Sequence, residues 1–254
     1  MSTAVVRMPV LPADAPLVAA YPILLGTLDV PHGSLYETDN GTTITTPLVA
    51  TLLVSDGRPI VVDNGYDVNY LPRFTFPNTL EEHALEHGLW EHDMTFEEVQ
   101  LVVNTHLHSD HGGMNRAFPE ARICVQEAEY RYAFAPDERL EFAYRPSSGH
   151  RVVPRDRFDL LSGNVEIAPG VWVVHTPGHT PGHQAVVAHT ASGWVVIAGD
   201  AAHARTIWEG EDRAAVIHDD VAFDRSVQVL RGSGCLPLFS HDLEWTHDEM
   251  KESY

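Results

Sequence analysis

The sequence predicts an α+β fold in which two β-sheets pack face to face with helices on the outside. Three observations point there. β-rich runs come first, helices around a short strand follow, and a block of short strands leads to one more helix and strand. Elements apolar on one face must be layered against one another, and this order suits two sheets between helices. No linker-like stretch or internal repeat breaks the order, so residues 1–254 read as a single domain. Apolar residues make up 44% of the chain, enough for a sizeable core.

The elements follow in order. Residues 1–40, rich in Pro and Gly, read as an N-terminal arm or loop segment. The stretch 42–65, "TTITTPLVATLLVSDGRPIVVDNG", holds two β-runs joined by "SDGRP", a hairpin with Asp-Gly turn chemistry. Residues 66–78 read as a loop with several aromatics, and a helix is expected over 79–90. A second helix is expected to begin near Thr95, where Glu98 completes a capping box. "VQLVVNTH" reads as a short buried strand, "GGMNRAF" as a short helix, "RICVQ" as a strand and "EAEYRYAFA" as a helix. Between 151 and 198 come "VVPR", "RFDLL", "VEIA", "VWVVHT", "QAVVAHT" and "GWVVIAGD", each read as a strand. A helix over 218–231 and a final strand in "PLFSHD" complete the chain.

A net charge of −20 argues against nucleic acid or an anionic membrane as partner, because both reward Lys/Arg patches. The only cysteines, Cys124 and Cys235, stand in apolar surroundings and form no C-x-x-C pair, which fits reduced thiols. The N-terminal stretch is broken by Pro9, Pro12 and Pro16 and lacks a basic start, so it makes a poor signal peptide. No apolar run approaches the roughly 20 residues needed to span a bilayer. Cytoplasmic is the expected location.

The chemistry is concentrated in "THLHSDHGG", residues 105–113. In an extended segment, residues two apart point to one side, so His106 and His108 converge on one metal ion. If the chain then turns at Gly112 and Gly113, Asp110 and His111 face a second ion. Further donors stand at other strand ends: His179 after a Pro-Gly break, Asp200 closing "GWVVIAGD", and His241 in "PLFSHD". A carboxylate at Asp200 is able to bridge two cations. Five histidines and two aspartates suit two divalent ions, with zinc favoured and iron, cobalt or manganese as alternatives. His175 and His183 flank His179 and are candidates for orienting a ligand, as is the strand-end Asp63. His32, His83, His87, His92, His150, His189 and His247 read as surface or core residues.

H-x-H-x-D-H, followed by "TPGH", "GD" and a late "SHD", resembles the metallo-β-lactamase-fold hydrolase superfamily over about 42–243. The resemblance implies an αββα sandwich of mixed sheets with a dinuclear site at the edge between them. It implies that His106, His108 and His179 hold one ion, that Asp110, His111 and His241 hold the other, and that Asp200 bridges them. It further implies hydrolysis by a hydroxide between the ions, with Asp110 orienting it or carrying its proton.

Within the superfamily, Asp200 stands where β-lactamases often use cysteine, and a −20 chain would repel RNA. "HLHSDHGG", "TPGHTPGHQ" and "SHDLE" are most similar to the N-acyl homoserine lactonases. That resemblance implies opening of a homoserine lactone ring (quorum quenching), a small-molecule lactone as partner, and a homodimer as one possible assembly. Candidates for the wall against which an acyl chain would lie are Tyr70, Phe74 and Phe76, and Tyr130, Tyr132, Phe134 and Phe142. One position departs from the family: His203 stands where a tyrosine is usual. It could donate a hydrogen bond to the substrate or act as an acid with a pKa near 6.5. The alternatives are another lactone, such as an aromatic-fused one, an ester or a thioester on the same site, or a metal-binding protein without turnover.

Overall fold

Asp56 and Gly57 adopt φ of 51° and 72°, positive at both central residues as a type I′ hairpin turn requires. Strand β2 (Thr43–Ser55) therefore folds back on β3 (Arg58–Val62), with Ser55 opposite Arg58. This computed structural model describes residues 6–67, 83–144 and 149–242.

Two sheets are built from these and later strands. The first has the order β1 (Val18–Pro31), β2, β3, β4 (Leu101–Val103), β5 (Arg122–Gln126), β6 (Phe158–Leu161). It is antiparallel from β1 to β3 and parallel from β3 to β6. The second has the order β11 (Leu236–Leu238), β10 (Gly193–Ile197), β9 (Gln184–Thr190), β8 (Val171–His175), β7 (Val165–Ala168). It is antiparallel except for the parallel β10–β11 pair.

The period of two in each strand sorts the core into layers. Ile60, Val62 and Val103 point between the sheets and meet Val173, Val186, Val195 and Leu238. Their neighbours Val61 and Val102 point the other way, toward Leu85 and Leu89 of α1 (Ala84–Trp90) and Ala133 of α3 (Glu127–Phe134). On the second sheet, Val174, Val187 and Val196 face outward against Phe223 and Leu230 of α6 (Asp220–Arg231). Asp219 caps that helix by accepting from the Ala222 amide. The layers run helix, sheet, sheet, helix, as expected.

Four elements differ from the expectation. Residues 18–31, read as part of a loop-like arm, form the longest strand described. Its Pro22 and Gly26 suggested loop, but β1 is an edge strand pairing only with β2, so Pro22 forfeits no second partner. A register shift between Leu24 and Gly26 absorbs the glycine at φ 136°. No helix follows Thr95, although its amide does donate the capping bond to Glu98 Oε2 at 2.9 Å. The chain must reach β4 by Leu101, which leaves only a turn. "VVPR" is no strand: Gly149–Val152 is a helical turn (α4), and pairing starts at Phe158, beyond Pro154. The short α5 (Arg205–Glu209) had no sequence signal. Residues 79–82 of the expected helix, and Tyr70, Phe74 and Phe76 of the expected aromatic wall, lie outside the described residues.

Candidate metal centre and its family

The site assembles where strands run out. His106 and His108 lie just past β4, and Asp110 and His111 sit in α2 (Ser109–Gly112), a single helical turn at which the chain changes direction. His179 follows β8, Asp200 follows β10, and His241 follows β11. The Gln184 amide donates to the Thr105 carbonyl at 2.8 Å, and its side chain donates to the Asn104 carbonyl at 2.8 Å. These bonds fasten the two sheets together beside the donors.

The "TPGHTPGH" segment is wedged between two helices, which explains its glycines. A Cβ on Gly178 would lie 2.3 Å from the Phe223 backbone in α6, and one on Gly182 would lie 2.1 Å from the Glu129 amide in α3. Only a residue without a side chain permits that approach.

Three groups of donors result, the ligand atoms of each lying within 4.8 Å of one another: His106, His108 and His179; His106, His111 and Asp200; Asp110, His111 and His241. His179 Nε2 is 3.2 Å from both His106 Nε2 and His108 Nδ1. Asp200 divides its two oxygens between the clusters. Oδ2 lies 3.4 Å from His179 Nε2, while Oδ1 lies 3.3 Å from His111 Nε2 and 3.6 Å from His241 Nε2. All seven residues singled out in the sequence are brought together here.

The outward nitrogens are tied to fixed acceptors, which sets the tautomers. His179 Nδ1 donates to the Val216 carbonyl at 2.8 Å, and His241 Nδ1 to the Pro47 carbonyl at 2.9 Å. His111 Nδ1 donates to Asp63 Oδ2 at 2.8 Å, and the same carboxylate accepts from the Thr105 amide and hydroxyl. The inward nitrogens of His111 and His241 are buried and lack hydrogen-bond partners.

Electrostatics separates the two clusters. Burial, with repulsion from neighbouring histidines, holds His106 and His108 well below the usual imidazole pKa, and burial also lowers His179. These rings are neutral, the form a metal ligand must take. Burial opposes a charge on His111, but Asp200, Asp110 and Asp63 outweigh it and hold its pKa well above normal. Carboxylates that raise a ring's affinity for a proton raise it for any cation at that nitrogen. Converging buried nitrogens and a shared carboxylate therefore fit divalent ions.

The flanking residues sort differently. His183 Nε2 accepts from the Asp200 amide at 3.0 Å and its Nδ1 meets Thr176, so it holds Asp200 in place and has no free nitrogen for an ion. His175 is bonded to the Pro181 carbonyl and stands outside the donor groups, as do the described histidines read as surface or core. His203 is buried beside His241, ring centroids 5.9 Å apart, and its carbonyl accepts from the His241 amide. Burial pushes its pKa down to about 3, below the ordinary imidazole value. Several contributors had escaped the sequence reading. Asn64, Asn104 and Asn115 form a buried amide chain ending on the His111 carbonyl. Tyr144 lies edge-on to His108. Glu129, fully buried, accepts from Leu107 between two of the ligands.

Comparison with known proteins agrees with the geometry. An N-acyl homoserine lactonase from a Bacillus species is 29% identical over 240 residues, covering 88% of this chain and 93% of that protein. A solved quorum-quenching N-acyl homoserine lactone hydrolase superposes with a TM-score of 0.79 at 26% identity, over 92% of this chain and 96% of that one. Another, with the product N-hexanoyl-L-homoserine bound at its catalytic metal centre, gives 0.76 at 26% identity, over 90% and 95%. The metallo-beta-lactamase superfamily model matches residues 46–251, from within β2 to beyond the last donor. A match over that much of the chain makes the protein a member of the metallo-beta-lactamase superfamily.

Proposed function

We propose that this protein is a dinuclear metal-dependent lactonase that opens the ring of N-acyl homoserine lactones. In this reading His106, His108 and His179 hold one cation, Asp110, His111 and His241 hold the other, and Asp200 is shared. The observation that carries it is the division of the Asp200 carboxylate between two donor clusters. The substrate rests on the similarity to lactonases over nine tenths of the chain. Imidazole and carboxylate donors suit zinc. Free, buried Cys124 and Cys235 support a cytoplasmic setting, and among the described residues no helix is long and apolar enough to cross a membrane.

Bound cations would supply Lewis acidity and make water acidic enough to lose a proton near neutral pH. The chain's residues do the rest. Asp110 Oδ2 stands 3.8 Å from both His111 and His241, and its side chain keeps more solvent contact than the other donors. It takes the proton of the attacking water as the new C–O bond forms, then returns it to the ring oxygen as the old C–O bond breaks. The product is the open hydroxy acid. His203 donates from its neutral ring to a substrate oxygen.

That histidine also favours a second reading, a lactone of different shape, because a ring nitrogen reaches less far than a phenol. Metal content of the purified protein, with hydrolysis of a long-chain acyl homoserine lactone before and after chelation, tests both. Two ions per chain and chelator-sensitive ring opening support the first reading. Two ions without ring opening favour the second, and turnover indifferent to chelation overturns the metal scheme.

A further inference from the structure

One buried acid has no part in the reaction described. Glu129, in α3, is wholly buried, and among the described residues no basic side chain is paired with it. A carboxylate there is costly unless its oxygens are bonded. Oε1 accepts from the Leu107 amide at 3.0 Å and from the Tyr144 hydroxyl at 2.6 Å, and Oε2 accepts from the Thr180 hydroxyl at 2.5 Å.

The identity of the three donors matters. Leu107 lies between His106 and His108, Thr180 follows His179, and the Tyr144 ring stands edge-on to His108 with centroids 4.6 Å apart. One carboxylate thus grips both loops that carry the first donor cluster. The second cluster is held by other groups: Asp63 and the asparagine chain on His111, and the Pro47 carbonyl on His241. An apolar side chain could fill the same volume without the cost of burying a charge, so packing alone does not account for an acid here.

We infer that Glu129 is a positioning residue for one cation only, setting the spacing of the His106–His108 loop against the His179 loop. This rests on the metal reading above. In full-length zinc-loaded protein, graded chelator competition read as bound zinc per chain would resolve two release steps. His179→Ala and His241→Ala would show which cluster each step reports. Glu129→Gln, similar in shape but uncharged, should weaken the step lost in His179→Ala by roughly 10- to 100-fold and leave the other unmoved. Thr180→Val, which removes one bond of the three, should shift the same step by less and serves if the first variant does not fold. Equal weakening of both steps, or none, overturns the inference. Wild-type protein that binds fewer than two ions overturns the metal reading itself.

Discussion

Asp63 accepts a hydrogen bond from His111 Nδ1 at 2.8 Å while its own backbone is held at φ 55°. Strained backbone of this kind costs on the order of 1–3 kcal/mol and persists where the surroundings demand it. Asp63→Asn tolerates positive φ but offers less charge to His111. It should keep the fold and lose roughly 10- to 100-fold in cation affinity, with unfolding temperature and bound metal measured together. Equal affinity in the Asn variant would show that the carboxylate does not tune His111.

Asp110→Asn should retain much of the metal, because His111 and His241 remain, yet lose turnover by roughly 10²- to 10⁴-fold. Metal content and kcat on one preparation check this. Near-normal turnover at full occupancy refutes the proton-carrying role.

His203→Ala should lower rate or substrate affinity without removing metal. His203→Gln keeps an N–H and should lose less. Because burial holds this ring down near 3, its removal should not abolish a pH–rate limb around 6.5. Loss of the one ion held by His241 in either variant would mean that His203 supports His241 rather than substrate.

His150 is buried against Phe134 and Tyr144, and burial lowers its pKa to about 4. The folded-state value lies below the unfolded 6.5, so its contribution is present above pH 6.5 and lost as pH falls through 4. The full span is on the order of 3 kcal/mol. Thermal melts of His150→Phe between pH 7 and 4.5 should fall less steeply than those of wild type, and parallel slopes would assign the acid sensitivity elsewhere.

Much of the site was legible because metal chemistry restricts residue types. His106, His108, Asp110 and His111 announced themselves by crowding, and His179, Asp200 and His241 by following apolar strands. The supporting residues gave weaker signals. Glu129 sits one helical turn before the buried Ala133, an acid on the apolar face of α3, but a sequence does not say which donors will meet it.

By itself the sequence determined the donor inventory, the Asp-Gly hairpin and the sheet-and-helix layering, since these depend on residue chemistry and local periodicity. Only the tertiary structure decided which oxygen of Asp200 faces which cluster, that residues 18–31 join the first sheet, and that Glu129 grips two loops. Those are contacts between residues far apart along the chain. Their energies depend on where a closed sheet edge places a partner, which no local pattern encodes.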